Sequence, residues 1–482
     1  MAEAAAVEAR GWGWRHAGRR PWALDGLDLV IEAGERVLLL GPSGSGKSTL
    51  LAALAGVLAE DQGESRGALL VDGRPPRATP GRAGLVLQDP QSQVILPRVG
   101  DDAAFGAENL GVPADEVRSR VVAALAAVGL DIPLDATSTR LSGGRQQRLA
   151  LAGVLAMRPG LVLLDEPTAN LDPAGVTEVR DAVVSSVAAT GATLLVVEHR
   201  VAVWADAVDR VVVLGADGAV VADGAPAAVL AAQGRSLAEQ GVWVPGRSPA
   251  IRRAPLAASG PVLATSGLLV GRDRRPVLAV PDLELPSGRL TALTGPNGLG
   301  KTTLALTLGG LLPPVAGSVV PAPWLAGGLR GGPSEWRSRD LLGRVSVVFQ
   351  SPQHQFLAGT VRDELAVGPR ALRRPPRAVA ARVDELLERL DLVRLADANP
   401  FTLSGGQQRR LSVGSALAVP PRLLLLDEPT FGQDARTWAA LVELLLEGVD
   451  DGAAVVAATH DPELVALADG RVALEHERAV LA

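Results

Sequence analysis

Apolar positions along this chain fall into short, nearly unbroken runs separated by glycine-rich and charged stretches. LDLVI (27–31) and RVLLL (36–40) each read as a strand. A glycine-rich turn follows the second, and the leucine- and alanine-rich stretch 49–59 predicts a helix. The runs at 161–164 and 193–197 show no polar face, as expected of strands buried on both sides of a parallel sheet. The pattern predicts an α/β fold built from strand–loop–helix units. No run approaches ~18 uninterrupted apolar residues, so no membrane-spanning helix is expected.

The pattern occurs twice. LSGGRQQRLALA (141–152) returns as LSGGQQRRLSVG (403–414), and LVLLDEPT (161–168) returns as LLLLDEPT (423–430), both at an offset of 262 residues. The chain therefore reads as a tandem duplication: a first domain at 1–242, a linker at 243–258 without periodicity, and a second domain at 259–482.

Composition narrows the class. Of 47 basic residues only Lys47 and Lys301 are lysine, and both lie in glycine-rich turns. The net charge of −6, with its basic residues dispersed, argues against a naked nucleic-acid ligand. The absence of cysteine excludes disulfides and thiolate metal sites. The N-terminus lacks a basic segment followed by an apolar run, so a secretory signal is not expected and a cytoplasmic protein is.

Gly41, Pro42, Ser43, Gly44, Ser45, Gly46, Lys47, Ser48 and Thr49 form one P-loop pattern. Gly295, Pro296, Asn297, Gly298, Leu299, Gly300, Lys301, Thr302 and Thr303 form the other. In such a loop successive backbone N–H groups cradle phosphate oxygens and lysine reaches the β- and γ-phosphates. The following hydroxyl, Ser48 or Thr302, is placed to ligate Mg²⁺. Arginine's planar fork is a poor fit there, which explains why lysine persists at these two positions alone. Asp165 and Asp427 each end an apolar strand and are candidates to hold Mg²⁺; Glu166 and Glu428, next in sequence, are candidate bases for an attacking water. His199 and His460 close another apolar run in each copy and are candidate γ-phosphate sensors. Gln88 and Gln350 follow apolar runs and offer a neutral side chain to metal or water, whereas His16, His354 and His476 have no such support.

Taken with the LSGG[RQ]Q segments, the ordered set resembles the ATP-binding cassette (ABC) ATPases over nearly the whole chain. The resemblance implies two P-loop NTPase domains of the ABC-ATPase type, each with a helical signature subdomain, and ATP with Mg²⁺ as cofactors. It further implies two composite sites. One joins the Lys47 set to Ser404, Gly405 and Gly406; the other joins the Lys301 set to Ser142, Gly143 and Gly144. The segments after the glutamines resemble the ATPase subunits of energy-coupling-factor (ECF) importers. These carry Pro90, Gln93, Asp101-Asp102 and FGAEN (105–109) in the first copy, and Pro352, Gln355 and Asp363-Glu364 in the second. That likeness implies a subunit on the cytoplasmic face of the membrane, working with a transmembrane scaffold and a substrate-binding membrane subunit to import a vitamin, vitamin precursor or transition metal. Trp14 falls where the family stacks an aromatic on adenine; the second copy offers none, and its D-loop reads GQDA (432–435) against NLDP (170–173). Weaker nucleotide binding at the second P-loop is therefore expected. The competing reading is a soluble, non-transport tandem ABC ATPase acting on ribosomes; such proteins carry a long charged helical linker, and this linker is short.

Overall fold

The computed structural model describes residues 3–18, 21–42, 44–88, 92–168, 171–253, 260–273, 275–475 and 478–481. Ser43, Pro90, Asn170 and His476 lie outside the described residues. The chain divides into two compact units, Met1–Ser248 and Pro249–Ala482.

The first unit holds strands β1 (Val7–His16), β2 (Leu24–Ile31), β3 (Arg36–Leu40), β4 (Gly63–Val71), β5 (Ala83–Val86), β6 (Leu161–Asp165), β7 (Thr193–Val197), β8 (Arg210–Leu214) and β9 (Val220–Gly224). Its helices are α1 (Lys47–Leu54), α2 (Val99–Asn109), α3 (Ala114–Ala127), α4 (Gly143–Met157), α5 (Pro173–Thr190), α6 (Val201–Trp204) and α7 (Pro226–Glu239). One sheet runs β5-β6-β7-β3-β8-β9, parallel except for the β8–β9 pair; a second, antiparallel sheet runs β2-β1-β4. Strands β6 and β7 are buried at every position, which accounts for their unbroken apolar runs. Helices α2, α3 and α4 pack on one another as a helical layer.

The second unit holds β10 (Pro261–Arg272), β11 (Arg275–Ala279), β12 (Glu284–Pro286), β13 (Arg289–Thr294), β14 (Ala316–Pro321), β15 (Val345–Val348), β16 (Leu423–Asp427), β17 (Ala454–Ala458), β18 (Gly470–Glu475) and β19 (Arg478–Leu481). Its helices are α8 (Lys301–Leu308), α9 (Pro323–Ala326), α10 (Ser338–Leu341), α11 (Val361–Ala371), α12 (Pro376–Arg389), α13 (Gly405–Leu417), α14 (Ala435–Asp450) and α15 (Pro462–Ala466). The P-loop strand β13 again lies beside β17, and β17 beside β16. Here the antiparallel strands join the parallel ones through a single β11–β19 bridge, Ala279 to Arg478.

One boundary differs from the sequence expectation. The helix expected over 49–59 ends at Leu54, because Gly56 turns the chain at φ +72° against the backbone of Pro76. At the head of the expected linker, Val244 is buried with Val242 in the first unit's core, and Trp243 bridges to Arg200. Further on, Arg253 forms a 2.8 Å ion pair with Asp469 of the second unit. Among the described residues no helix is long and apolar enough to cross a membrane.

Candidate functional site

Topology brings the candidate residues of each unit together. In the first, Val197 at the end of β7 is in register with Asp165 on one side and Leu39 on the other. The carboxyl ends of three adjacent strands therefore face one crevice, into which the β3–α1 turn opens. Gly46 precedes α1 at φ +91°, and a Cβ there would meet the Ala23 carbonyl oxygen at 2.6 Å, so glycine is required. Gly300, at φ +98°, plays the same part before α8.

In both units the P-loop lysine is buried and folded back into its own loop. Lys47 Nζ donates to the carbonyls of Gly41 (2.8 Å) and Pro42 (2.9 Å). Lys301 Nζ donates to those of Gly295 (2.6 Å) and Pro296 (3.1 Å). Each ammonium is only 6–7% exposed and also acts on the neighbouring acids, drawing their carboxyls downward.

The acids pair with the hydroxyls after each lysine. Thr302 Oγ1 donates to Asp427 Oδ2 at 2.6 Å, and Ser48 bonds Asp165. Burial, reinforced by the neighbouring Glu166 charge, pushes the Asp165 carboxyl up to about 6. Asp427 is likewise raised by burial. Among the described residues no group of three or more His, Cys, Asp or Glu could hold a metal alone. A hydroxyl beside a crowded carboxylate fits Mg²⁺, which takes one or two protein ligands and completes its shell with phosphate and water. When bound, that ion would supply charge neutralisation at the phosphates.

The glutamates differ between the units. Glu166 accepts from Gln88 Nε2 at 2.6 Å and lies 2.9 Å from His199 Nε2. Burial works upward on Glu166, but His199, Lys47 and Gln88 outweigh it and hold the carboxyl below its ordinary range. Glu428 lies 3.8 Å from His460 Nε2, and burial with the Asp427 charge pushes it up to about 7. His460 turns instead to Lys301 Nζ and Asn297 Oδ1, at 3.0 Å each. Gln350 is exposed, unlike Gln88. Both glutamates sit at φ +50°, a strained turn at the strand end that aims the carboxylate into the crevice.

Ser142 and Ser404 precede α4 and α13, and both are exposed. Ser404 accepts from Gln407 N, whereas Ser142 makes no side-chain cap bond. Among the described residues no hydrogen bond joins Ser142, Gly143 or Gly144 to the first unit's cradle; in the second, the Gly406 carbonyl accepts from Gln433 Nε2.

Trp14 departs from the expectation. It is 5% exposed, Gly63 is packed closely against its ring, and its Nε1 points to His16 Nδ1 at 3.3 Å. The ring is part of the β1–β2–β4 core, and stacking on adenine would require uncovering it. His16, given no role from sequence, joins that ring to Thr49 Oγ1 at 3.2 Å. The sequence also gave no sign of Glu198 and Asp461, which hold the Thr168 and Thr430 hydroxyls beside the acids. Both follow buried strands, a position that could have drawn attention to them.

A profile of the ABC transporter family matches residues 24–169 and 278–431. The chain belongs to the ABC transporter family. Its two ABC domains bind ATP, and the chain is an ATPase. Among relatives, it is 34% identical to a Bacillus subtilis protein, YkoD, whose name reads HMP/thiamine import ATP-binding protein, over 94% of this chain and 86% of that one. It is 36% identical to an ABC transporter ATP-binding protein of Streptomyces coelicolor, over 95% of this chain and 90% of the relative. The ABC fold is shared with a solved structure of ribosome-bound archaeal Pelota and ABCE1, with a TM-score of 0.68 at 23% identity, covering 98% of this chain and 78% of that one. At that identity the likeness concerns fold alone.

Proposed function

We propose that this ABC ATPase energises an ECF-type importer of a micronutrient (a vitamin, vitamin precursor or transition metal) at the cytoplasmic face of the membrane. One observation carries the reading: among the described residues, the segments that follow Gln88 and Gln350 and resemble ECF subunits make matching hydrogen bonds. Gln93 Oε1 accepts from Leu87 N at 2.7 Å, and Gln355 Oε1 accepts from Phe349 N at 3.1 Å. Asp102 Oδ1 then accepts from the amides of Ile95 and Leu96, as Glu364 Oε2 accepts from those of Leu357 and Ala358. Four backbone amides are thus tied to these two carboxylates in segments that display Ile95 at 62% and Leu357 at 80% exposure. Exposed apolar side chains at matching places in both units suit a protein partner, here the cytoplasmic helices of a membrane scaffold.

In this reading Lys47 and Lys301 bind the phosphates, and Ser48 with Asp165 and Thr302 with Asp427 hold Mg²⁺, with Gln88 and Gln350 as further ligands. Glu166 and Glu428 act as bases, while His199 and His460 monitor the γ-phosphate. The resemblance to the family implies that each ATP is completed by the Ser-Gly-Gly corner of the other repeat. The name of the Bacillus relative supports import of a small organic nutrient. The test is extraction from membranes. The chain should co-purify with a small multi-spanning protein, and Ile95→Asp with Leu357→Asp should release it while ATP hydrolysis by the isolated chain persists. Sedimentation with ribosomes instead would overturn the reading.

A further inference from the structure

Helix α13 sends a cation into the second unit's interior behind the candidate acids. Arg409 is 5% exposed, yet among the described residues no carboxylate forms an ion pair with it. Its Nη1 donates to the carbonyl oxygens of Asp427 (3.2 Å) and Phe349 (3.3 Å). The guanidinium also lies 5.8 Å from the Phe431 ring, and its Nε is buried without a partner. One of those carbonyls immediately precedes Glu428, and the other immediately precedes Gln350.

The first unit shows what the position looks like without this contact. The residue at the same place in α4 is Gln147, whose side-chain nitrogen and oxygen are both buried without a partner. The neutral side chain that would be cheaper to bury is therefore present in one repeat and replaced by a full charge in the other. Burial pulls the guanidinium down to about 10, against the raising influence of the Glu428 and Asp427 charges. A charge kept where stability does not call for it points to function.

We propose that Arg409 is a positioning residue for ATP hydrolysis in the second unit, fixing from behind the spacing between the Gln350 loop and Glu428. It clamps the two backbone carbonyls that set where those side chains emerge, and it mounts the clamp on the helix that begins at the Ser404 corner. The inference rests on Glu428 being the base and Gln350 lying at the metal or water.

The test is a cycle of variants in the full chain, reading kcat, KM for ATP and melting temperature. Glu428→Gln defines the turnover owed to the second unit. Arg409→Gln, which installs the residue of the first repeat, should remove at least nine-tenths of that same share. KM should stay within about threefold and the melting temperature within about 2 °C, because a buried unpaired charge contributes little stability. Arg409→Lys should recover part of the turnover, and Arg409→Gln with Glu428→Gln should be no slower than Glu428→Gln alone. Loss of turnover in step with melting temperature, or additive losses in the double variant, would overturn the proposal in favour of a structural arginine. Full turnover in Arg409→Gln where Glu428→Gln is inactive would sink this inference alone, whereas full turnover in Glu428→Gln would sink it together with the role given to Glu428.

Discussion

His199 Nε2 lies 2.9 Å from Oε1 of Glu166. The matching pair in the second unit is 3.8 Å apart, and the imidazole there is engaged with Lys301. His199 helps hold the first glutamate below its ordinary range, while burial and the Asp427 charge push the second up to about 7. A general base works only when unprotonated. Residual hydrolysis by Glu166→Gln, which leaves the second unit's base, should fall below pH 7 by about tenfold per pH unit. Glu428→Gln should keep its rate to lower pH. Superimposable pH profiles of the two variants would remove the distinction.

The same displacement has a consequence for stability. Glu428 has a carboxyl raised in the fold from its ordinary 4.5 to about 7, so between those values the native state binds more protons than the unfolded chain. Stability from this group is therefore lost as pH rises through the window, by up to a few kcal/mol at about 1.4 kcal/mol per unit. The nucleotide-free chain should melt at a higher temperature near pH 5 than near pH 8 on this account, and Glu428→Gln should flatten that slope. An unchanged slope in the variant would show that the carboxyl is not the source.

Lys47 and Lys301 are buried in their own loops, where the ammonium is placed to bond a phosphate. Charge-assisted bonds of this kind are worth about 1.5–3 kcal/mol each. Lys47→Ala and Lys301→Ala should each weaken ATP binding by about 10–100-fold at one site, measured by calorimetry. Lys→Arg should not restore it, because the planar fork does not enter the loop. Two sites still filled at native affinity would count against the cradle.

Trp14 is packed among core side chains with its ring covered. Trp14→Ala should cost about 3–5 kcal/mol of stability, as for other buried tryptophans, read by denaturant unfolding of the first unit's transition. A variant with native stability and an ATP affinity reduced at the first site alone would restore the stacking role.

Much of the site was legible because phosphate chemistry restricts residue type at fixed spacing. Only a glycine can occupy positions such as Gly46 and Gly300, and only a strand end can present Asp165 beside Val197. The duplication made each signal countable twice. What stayed hidden depends on side-chain direction. No pattern distinguishes a histidine turned to Glu166 from one turned to Lys301, since both follow the same apolar run. Burial of Trp14 depends on Gly63, 49 residues away in sequence. Arg409 carries no signal of its own in the sequence, and the two carbonyls it reaches are visible only in the fold.

The most direct test of hydrolysis by paired glutamate bases is one chain carrying both Glu166→Gln and Glu428→Gln, assayed for bound ATP and for phosphate release. The account expects ATP retained at two per chain with turnover lowered by roughly 10²–10⁴. Phosphate release near the native rate, with nucleotide still bound, would contradict it.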